Sequence, residues 1–547
     1  MSLEYVQGFF SLAVLKIAVV NLVCGGLLGV STGFVAVHTT FVQISQNCTL
    51  YQSPLSCDAV GGGSSTSCRW GYSNVSASYK CLFDDDLTEC SSLDHSSSDQ
   101  CSRLSHCSWS YDDSLCRHVA GYSAVDSGIF CGAMVVGGLV GSLAIGHVVN
   151  RFGRKRCMIF GGLAASFCSG LVHIADAKVM YSLLVAARFL LGVVVGALCC
   201  VGPMYVDEMV PSAYANPVGV LFQGFFTFAM MLAALQGYFL NPTDFTTDVN
   251  MPLRFQLLDA LPTISSLLVM ITGIFMTEST KWTNRSFQDI QTKDQGFLVE
   301  SSTETIKLLN SKDSMAPPPT WWEMKGVLGV AFMMALAQQL TGCNAIFNYA
   351  PNITKSMNFA PLTGNVIVLA WNALTSLVSV PFASKCSMRS MFLASLECAD
   401  LAGVGAIRVE VFDEVDVFGR YIIRVAGFLT GIPHYPGVAS EDTRSDFAIA
   451  GVSLFLLAFE IGIGSTFFVL AQTLFPENFR AKGSSFTMVC MFLFNISLNV
   501  GFPIVVEAVS GGPSGNQNKG MSVTFLFFGC VGAASLCVLV KFLKPHE

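Results

Sequence analysis

Long apolar runs separated by short polar segments dominate the chain outside one polar stretch near the N-terminus. An α-helix needs about 20 apolar residues to cross a bilayer. Runs of that length predict transmembrane helices at about residues 9–37, 121–149, 157–176, 179–204, 217–240, 255–277, 327–351, 363–383, 447–472, 483–506 and 519–542. With a further span expected between about residues 384 and 440, the pattern predicts an all-α membrane protein of about twelve transmembrane helices.

The composition supports the same class of protein. Charged residues make up only 12% of the chain, whereas soluble domains carry about 25%, so we expect the lipid bilayer as a partner. The sequence contains no basic surface suited to nucleic acid and no Gly-rich phosphate loop for a nucleotide. The predicted spans contain no nucleophilic triad and no metal-ligand cluster, so we expect no enzyme activity, no metal and no cofactor.

The polar stretch at about residues 42–119 concentrates charge and cysteine. Between Ser45 and Val119 it holds nine acids and four bases, a net charge of −5 within a chain total of −7. An even set of cysteines in a polar segment indicates disulfides in an oxidising space, and the absence of a CxxC pair makes zinc the weaker alternative. The disulfide candidates are Cys48, Cys57, Cys68, Cys81, Cys90, Cys101, Cys107 and Cys116. Sequons at Asn47 and Asn74 are candidate glycosylation sites on an external loop.

Polar side chains interrupt the apolar run that begins near Val327. On a straight helix, Gln338, Thr341, Asn344, Asn348 and Tyr349 fall within one arc of about 140°, and Gln339 lies off that arc. Gly342 and Pro351 would let this helix bend or break. Neutral amides and hydroxyls both donate and accept hydrogen bonds, which suits an uncharged, hydroxyl-rich ligand such as a sugar. The alternative is that these groups bind neighbouring helices to one another.

The segment Gln338–Pro351 resembles the Q-Q-L-[ST]-G-x-N-A-x-x-x-Y signature of the seventh helix in the sugar porter branch of the major facilitator superfamily. Further segments resemble other motifs of that family in the expected order: 28–33, 146–156, 188–192, 203–208, 459–464 and 476–480. With its cysteine-rich first external loop, the chain resembles the hexose transporters of trypanosomatids. The resemblance implies two pseudo-symmetric six-helix halves, residues 1–277 and 326–547, joined by a cytoplasmic linker at 278–325.

The resemblance also implies roles for individual residues. It assigns hexose binding, near the midplane of the membrane, to Gln223, Gln338, Gln339, Asn344, Asn372 and Glu460. It assigns gating or conformational roles to Arg151, Gly153, Arg154, Arg188, Glu208, Arg420, Glu477 and Arg480. Transport would proceed by alternating access, with both termini cytoplasmic and the protein in the plasma membrane. The four basic residues in the short loop at 151–156 agree with a cytoplasmic position for that loop.

The sequence departs from the family pattern at a position that bears on the driving force. Proton-coupled members carry an Asp in the first helix where this chain has Ser31, whose hydroxyl does not titrate near neutral pH. We therefore expect facilitative transport of a hexose, glucose or fructose. The alternatives are a proton-coupled sugar or polyol symporter, a non-transporting sugar sensor on the same fold, and an inactive variant. A sensor is disfavoured because few residues follow the last predicted span.

Residues 384–440 admit two interpretations. The ninth span could lie between about Tyr421 and Gly437, after a basic segment at 416–420 that repeats the loop at 150–154. Alternatively it begins near Ser390 and an insertion follows. A sequence anomaly in this region would also explain the pattern.

Overall fold

A computed structural model describes residues 11–45, 68–73, 78–83, 107–110, 115–118, 122, 124–177, 180–240, 251–284, 319–356, 360–400, 441–476, 479–511 and 517–543. The first half of the chain forms α1 (Leu12–Ser45), α2 (Ala124–Phe152), α3 (Arg154–Ala177), α4 (Tyr181–Met209), α5 (Ser212–Leu240) and α6 (Met251–Phe275). The second half forms α7 (Lys325–Leu340), α8 (Cys343–Ser356), α9 (Pro361–Ala383), α10 (Met388–Asp400), α11 (Glu441–Phe459), a π-helix (Glu460–Gly464), α12 (Ser465–Thr473), α13 (Arg480–Ser510) and α14 (Gln517–Phe542).

Eleven helical segments in the described part of the chain are long and apolar enough to cross a membrane. They coincide with the eleven runs predicted from the sequence, so the multi-pass helical architecture is confirmed. Two of these segments are composite, because α7 and α8 form one span and the π-helix joins α11 to α12.

Helix α10 lies where the ninth span is expected; it has 13 residues and begins at Met388. Its Ser395 hydroxyl donates to the carbonyl of Ala458 at 2.6 Å and accepts from the backbone N–H of Ile463 at 3.1 Å. This start agrees with the interpretation in which the ninth span begins near Ser390. Residues 401–440, including Arg420, lie outside the described residues.

Glycines on α1 allow it to pack closely on α5. A Cβ atom at Gly25 would meet the carbonyl oxygen of Phe222, and one at Gly29 would meet the carbonyl oxygen of Phe226. Where α2 crosses α4, each helix contributes a glycine. Gly141 of α2 faces the carbonyl of Val193, and Gly192 of α4 faces the carbonyl of Met134. Small residues allow helices to approach closely inside a bilayer, where hydrophobic burial contributes little to helix association.

The two halves meet along two pairs of helices. In the first half α1 packs on α5, α2 on α4, and α3 on α6; the halves contact each other mainly where α2 meets α13 and where α5 meets α9. This arrangement leaves the centre of the bundle lined by helices from both halves. We call the end of the bundle that carries Arg151, Arg154, Lys155 and Arg156 the basic end, and the other the opposite end.

The long loop after α1 contains two short antiparallel hairpins. Strands β1 (Cys68–Ser73) and β2 (Ser78–Phe83) pair so that Trp70 is opposite Cys81. Strands β3 (Cys107–Ser110) and β4 (Leu115–His118) pair so that Trp109 is opposite Cys116. Each hairpin therefore starts with Cys-x-Trp, and its Trp is paired in register with a Cys of the second strand. The two hairpins thus form an internal repeat within the loop. The remaining cysteines of this loop and both sequon asparagines lie outside the described residues.

Candidate functional site

A central cavity lies between the two halves. Its polar lining consists of Thr32, Arg188, Gln223, Gln338, Gln339, Asn344, Asn348, Asn495 and Asn499. Its aromatic lining consists of Phe226, Phe347, Phe459, Phe468 and Phe492. The amides of its wall are buried, since Gln338 is 7% and Gln339 only 1% exposed. A ligand in it would contact both halves at once.

A break in the seventh span shapes the polar wall. Helix α7 ends at Leu340, and Gly342 adopts a φ of 94° before α8 begins. A second irregularity occurs at Tyr349, whose φ of −114° and ψ of 16° interrupt α8 just before Pro351. The predicted bends at Gly342 and Pro351 are therefore present. Because the helix is not straight, Gln339 lines the cavity although a straight-helix projection places it off the polar arc.

The amides around this break form a connected chain. Gln339 donates through Nε2 to Oε1 of Gln338, and Asn344 donates through Nδ2 to Oε1 of Gln339. On the same wall, Asn348 donates to Oδ1 of Asn499, and Asn499 donates to Oδ1 of Asn495. Each amide still has unused donor or acceptor capacity. Such a wall can exchange its own hydrogen bonds for those of a ligand's hydroxyl groups.

Gln223 of α5 connects the cavity wall to the second half. Its Nε2 lies 3.2 Å from both carboxylate oxygens of Glu460 in the π-helix. Glu460 is fully buried, and Asn372 of α9 adjoins it from the other side. Neither Glu460 nor Asn372 lines the cavity; Glu460 lies behind Gln223 and accepts its hydrogen bond, whereas Asn372 has no hydrogen-bond partner.

Aromatic rings complete the site. Phe468 lines the cavity and packs on Phe222 with ring centroids 4.7 Å apart. The sequence places Phe468 where the family pattern has a tryptophan. A phenyl face can pack against the C–H face of a sugar ring, although it has no N–H to donate.

Arg188 is the only charged residue on the cavity wall among the described residues. Its Nε donates to the carbonyl of Phe130 at 3.3 Å, and one terminal nitrogen lies 3.5 Å from the carbonyl of Ser31. The guanidinium also lies 4.5 Å from the ring centroid of Phe130 and 5.6 Å from that of Phe34. No carboxylate of the described chain forms an ion pair with it. Carbonyl dipoles and aromatic faces therefore stabilise this buried cation.

An ionic network lies at the basic end of the first half. Arg154 pairs with Glu208 at 2.6 Å within the first half. The carboxylate of Glu278 accepts hydrogen bonds from the backbone N–H of Arg154 at 2.8 Å and of Lys155 at 3.2 Å. Gly153 makes this contact possible, because it has a φ of 85° and lies against the Glu278 carboxylate. The network fixes the loop between α2 and α3.

One ion pair in this region joins the two halves. Arg480, at the first residue of α13, contacts Asp207 near the end of α4 at 2.7 Å. Arg151 is exposed and lies over the ring of Phe152, 5.5 Å from its centroid. Glu477 lies outside the described residues. Of the predicted gating residues, the structure thus brings Arg154 and Glu208 together and pairs Arg480 with Asp207.

Several lining residues were not assigned to hexose binding by the resemblance: Asn348, Asn495, Asn499 and Thr32. Asn495 and Asn499 are one helical turn apart, and that spacing was the available signal. Asp207 and Glu278 were also missed as partners in the network. Their roles depend on contacts between residues far apart in the chain, which a single sequence does not reveal.

Comparison with known proteins places the chain in a family. The model of the family described as "Sugar (and other) transporter" matches residues 17–537. Glucose transporter 2A of Trypanosoma brucei brucei is 36% identical over 542 residues, which cover 99% of this chain and 89% of that protein. Glucose transporter HT1 of Trypanosoma vivax is 33% identical, with 98% and 86% covered. Membrane transporter D2 of Leishmania donovani is also 33% identical, with 98% and 90% covered.

Solved structures agree on the fold. The proton:xylose symporter XylE of the major facilitator superfamily, bound to 6-bromo-6-deoxy-D-glucose, superposes with a TM-score of 0.63 at 16% identity over 97% of this chain and 96% of XylE. Because the two sequences are only 16% identical, this structural similarity establishes the fold and nothing further. The chain is thus a multi-pass membrane protein with the major facilitator fold, a carrier and not an enzyme, and it belongs to the sugar (and other) transporter family.

Proposed function

We propose that this protein is a facilitative hexose carrier, with glucose as the main substrate and fructose as a second. The observation that carries the proposal is the cavity between the halves, lined by neutral amides and aromatic rings. Its hydrogen-bonding groups match several hydroxyls on an uncharged ring, and its phenyl rings match the apolar ring face. The names of the trypanosomatid relatives as glucose transporters support the same substrate class.

Individual residues take the following roles in the proposal. Gln338, Gln339 and Asn344 bind the sugar directly, together with Gln223. Glu460 holds Gln223 in position from behind the wall, and Asn372 lies close to Glu460. Asn348, Asn495 and Asn499 extend the hydrogen-bonding surface along the second half.

The proposed cycle is alternating access by rocking of the halves, residues 1–277 against 326–547, with the linker 278–325 between them. The ion pair Arg480–Asp207 favours closure at the basic end, and the network around Arg154 holds the loop beside it. At the opposite end, the Tyr349 hydroxyl of α8 lies 3.9 Å from the sulfur of Cys131 in α2. Opening at either end would require the halves to part at one of these contacts. Arg151, Gly153, Arg188, Arg420 and Glu477 complete the proposed gating set.

The basic end faces the cytoplasm in this proposal, because short basic loops remain on that side. Both termini are then cytoplasmic, and the cysteine-rich loop is external. A plasma membrane location agrees with disulfide formation and N-glycosylation in that loop.

The direct test is uptake of labelled glucose by transporter-null cells that express the chain, with fructose and inositol as competitors. Saturable uptake that glucose and fructose inhibit supports the proposal. Uptake inhibited only by inositol would replace hexose with a polyol as substrate. Binding of glucose without flux would point to a sensor.

A further inference from the structure

A groove lies on the surface of the first half, between α2 and α3. Helix α2 packs on α4, and α3 packs on α4 and α6, so α4 lies at the bottom of the space between α2 and α3. Small residues from all three helices line the groove: Gly141, Ala144, Gly161 and Ala197. Among the described residues, the groove and the sugar cavity have no lining residue in common.

The groove faces the lipid. Phe152 and Phe160, which line it, are 43% and 66% exposed, and Ala144 and Val148 are exposed as well. Exposed apolar side chains on the spans of a membrane protein contact acyl chains, which are as apolar as leucine. A hollow between such side chains is therefore filled by hydrocarbon in the bilayer.

The length of the groove matches one leaflet. Along α2 the lining extends from Gly141 to Phe152, a rise of about 16 Å. Half of the hydrocarbon core of a bilayer is about 15 Å. Since Phe152 is the last residue of α2 at the basic end, the groove runs from that membrane surface towards the midplane. One acyl chain of a phospholipid has this reach.

A cation without a partner lies at the basic end of the groove. Arg156, in the first turn of α3, is the only charged lining residue in the described chain. It is exposed, and it forms neither an ion pair nor a hydrogen bond with the described residues. Arg151 is close to the same end, because its guanidinium lies over the ring of Phe152. The apolar groove thus ends beside two guanidinium groups.

The acidic residues of this region are engaged elsewhere. Glu208 and Asp207 form ion pairs with other arginines. The carboxylate of Glu278 accepts hydrogen bonds from the backbone N–H groups of Arg154 and Lys155. None of these three acids lines the groove. The described chain therefore leaves positive charge at the end of the groove, and an anionic ligand would neutralise it.

We propose that the groove is a binding site for one anionic phospholipid of the leaflet at the basic end. One acyl chain lies between α2 and α3, and the phosphate lies at Arg156, whose guanidinium can donate two parallel hydrogen bonds to it. Arg151 adds electrostatic attraction. Anionic lipids are characteristic of the cytoplasmic leaflet, which is the one at the basic end in the proposed orientation. A neutral lipid would leave Arg156 unpaired, and a soluble anion would leave the groove unfilled.

The test is native mass spectrometry of the full-length protein in detergent, titrated with phosphatidylserine or with phosphatidylcholine that carries the same acyl chains. The wild type should bind one phosphatidylserine about fivefold more tightly than phosphatidylcholine, since a basic residue beside an anionic headgroup contributes about that factor. Arg156→Gln should lose most of this preference. Equal affinity of the wild type for the two lipids would overturn the proposal.

Lys541→Gln is the matched control for the charge. Lys541 is an exposed cation near the end of α14, which returns to the basic end after α13, and it does not line the groove. This variant should keep the full preference for phosphatidylserine. If Arg156→Gln and Lys541→Gln keep it alike, Arg156 does not hold the headgroup and the proposal is wrong.

Ala144→Trp tests the acyl chain, because the indole fills the groove without a change of charge. This variant should bind phosphatidylserine no better than phosphatidylcholine. Leu143→Trp is its control: Leu143 is 58% exposed on the same helix, lies outside the lining and should tolerate the indole without effect. A wild-type preference in Ala144→Trp would contradict binding in the groove.

A competition experiment on the wild type covers the case in which Ala144→Trp does not fold. Glycerophosphoserine, the headgroup without acyl chains, should not displace phosphatidylserine at equal concentration. Displacement would show that a surface phosphate site holds the lipid, and the groove would be rejected. None of these measurements uses glucose, so their outcome is independent of the proposed function.

Discussion

At the scale of single residues, the neutral amides on α7 and α8 carry the chemistry of the cavity. Gln338 and Gln339 were recognisable in the sequence because polar side chains are rare within a span. The order of their contacts was not recognisable. The chain of hydrogen bonds from Asn344 through Gln339 to Gln338 depends on the break at Gly342, which moves Gln339 to the cavity side.

Gln338→Ala should weaken glucose binding and spare folding. Removal of one amide from a buried site costs about 1–3 kcal/mol, which corresponds to roughly 5- to 150-fold in affinity. The measurement is the KM for labelled glucose at equal surface expression. Gln43→Ala, which removes an exposed amide at the end of α1, is the matched control and should behave as wild type. Equal KM values for Gln338→Ala and Gln43→Ala would remove Gln338 from the binding set.

At the scale of elements, most helices were predictable because length and hydrophobicity identify membrane spans in a sequence. The observed ends of α5 and α9 differ from the prediction by only a few residues. Two features were not predictable. The π-helix at Glu460–Gly464 leaves no hydrophobic signature, and the sequence left the start of α10 as one of two alternatives, which contacts such as Ser395 with Ala458 distinguish.

Gly342→Ala should destabilise the break in the seventh span. A left-handed backbone costs a residue with a Cβ about 1–2 kcal/mol, and here the Cβ would also meet the ring of Phe528. We expect a lower thermal unfolding midpoint in detergent together with reduced glucose uptake. The matched control is Gly326→Ala in the first turn of α7, where a Cβ meets no neighbouring atom. A Gly342→Ala protein as stable and active as the Gly326→Ala protein would contradict the assigned backbone geometry.

A separate prediction concerns the loop between α1 and α2. Its cysteines should be oxidised on the cell surface, since eight free thiols would not persist there. Alkylation of intact cells without reduction, followed by mass spectrometry, should label none of the positions from Cys48 to Cys116. Buried thiols of the spans, such as Cys199, serve as the internal reference once the protein is denatured. Several labelled loop cysteines before reduction would argue against an external, oxidised loop.

At the scale of the whole molecule, the two-half architecture followed from the resemblance of several motifs in order. The contacts between the two halves could not be predicted from these motifs. The family motifs suggested Glu208 and Arg480 as gating residues, yet Arg480 crosses to Asp207 while Glu208 remains with Arg154. Residues 207 and 208 are neighbours on α4, so only the packing of α13 decides between them.

The charge reversal Asp207→Arg should impair uptake, because it places two guanidinium groups together at the basic end. The partly exposed pair itself contributes only about 0.2–1 kcal/mol, but like charges would oppose closure of that end. Arg480→Asp alone should have a similar effect. The double exchange restores opposite charges and should recover part of the uptake. If the double variant transports no better than either single variant, the contact does not couple the halves.

The central claim is that the carrier equilibrates hexose without a driving ion. The first helix offers Ser31 where a proton-coupled carrier needs a carboxylate, and Arg188 is satisfied by carbonyl groups and aromatic rings. The most direct measurement is glucose distribution across liposomes that contain the purified protein, with a pH gradient imposed at zero membrane potential. The account predicts that internal glucose rises to the external concentration and stops there, whichever side is acidic. Accumulation of glucose above the external concentration, driven by the proton gradient, would contradict it.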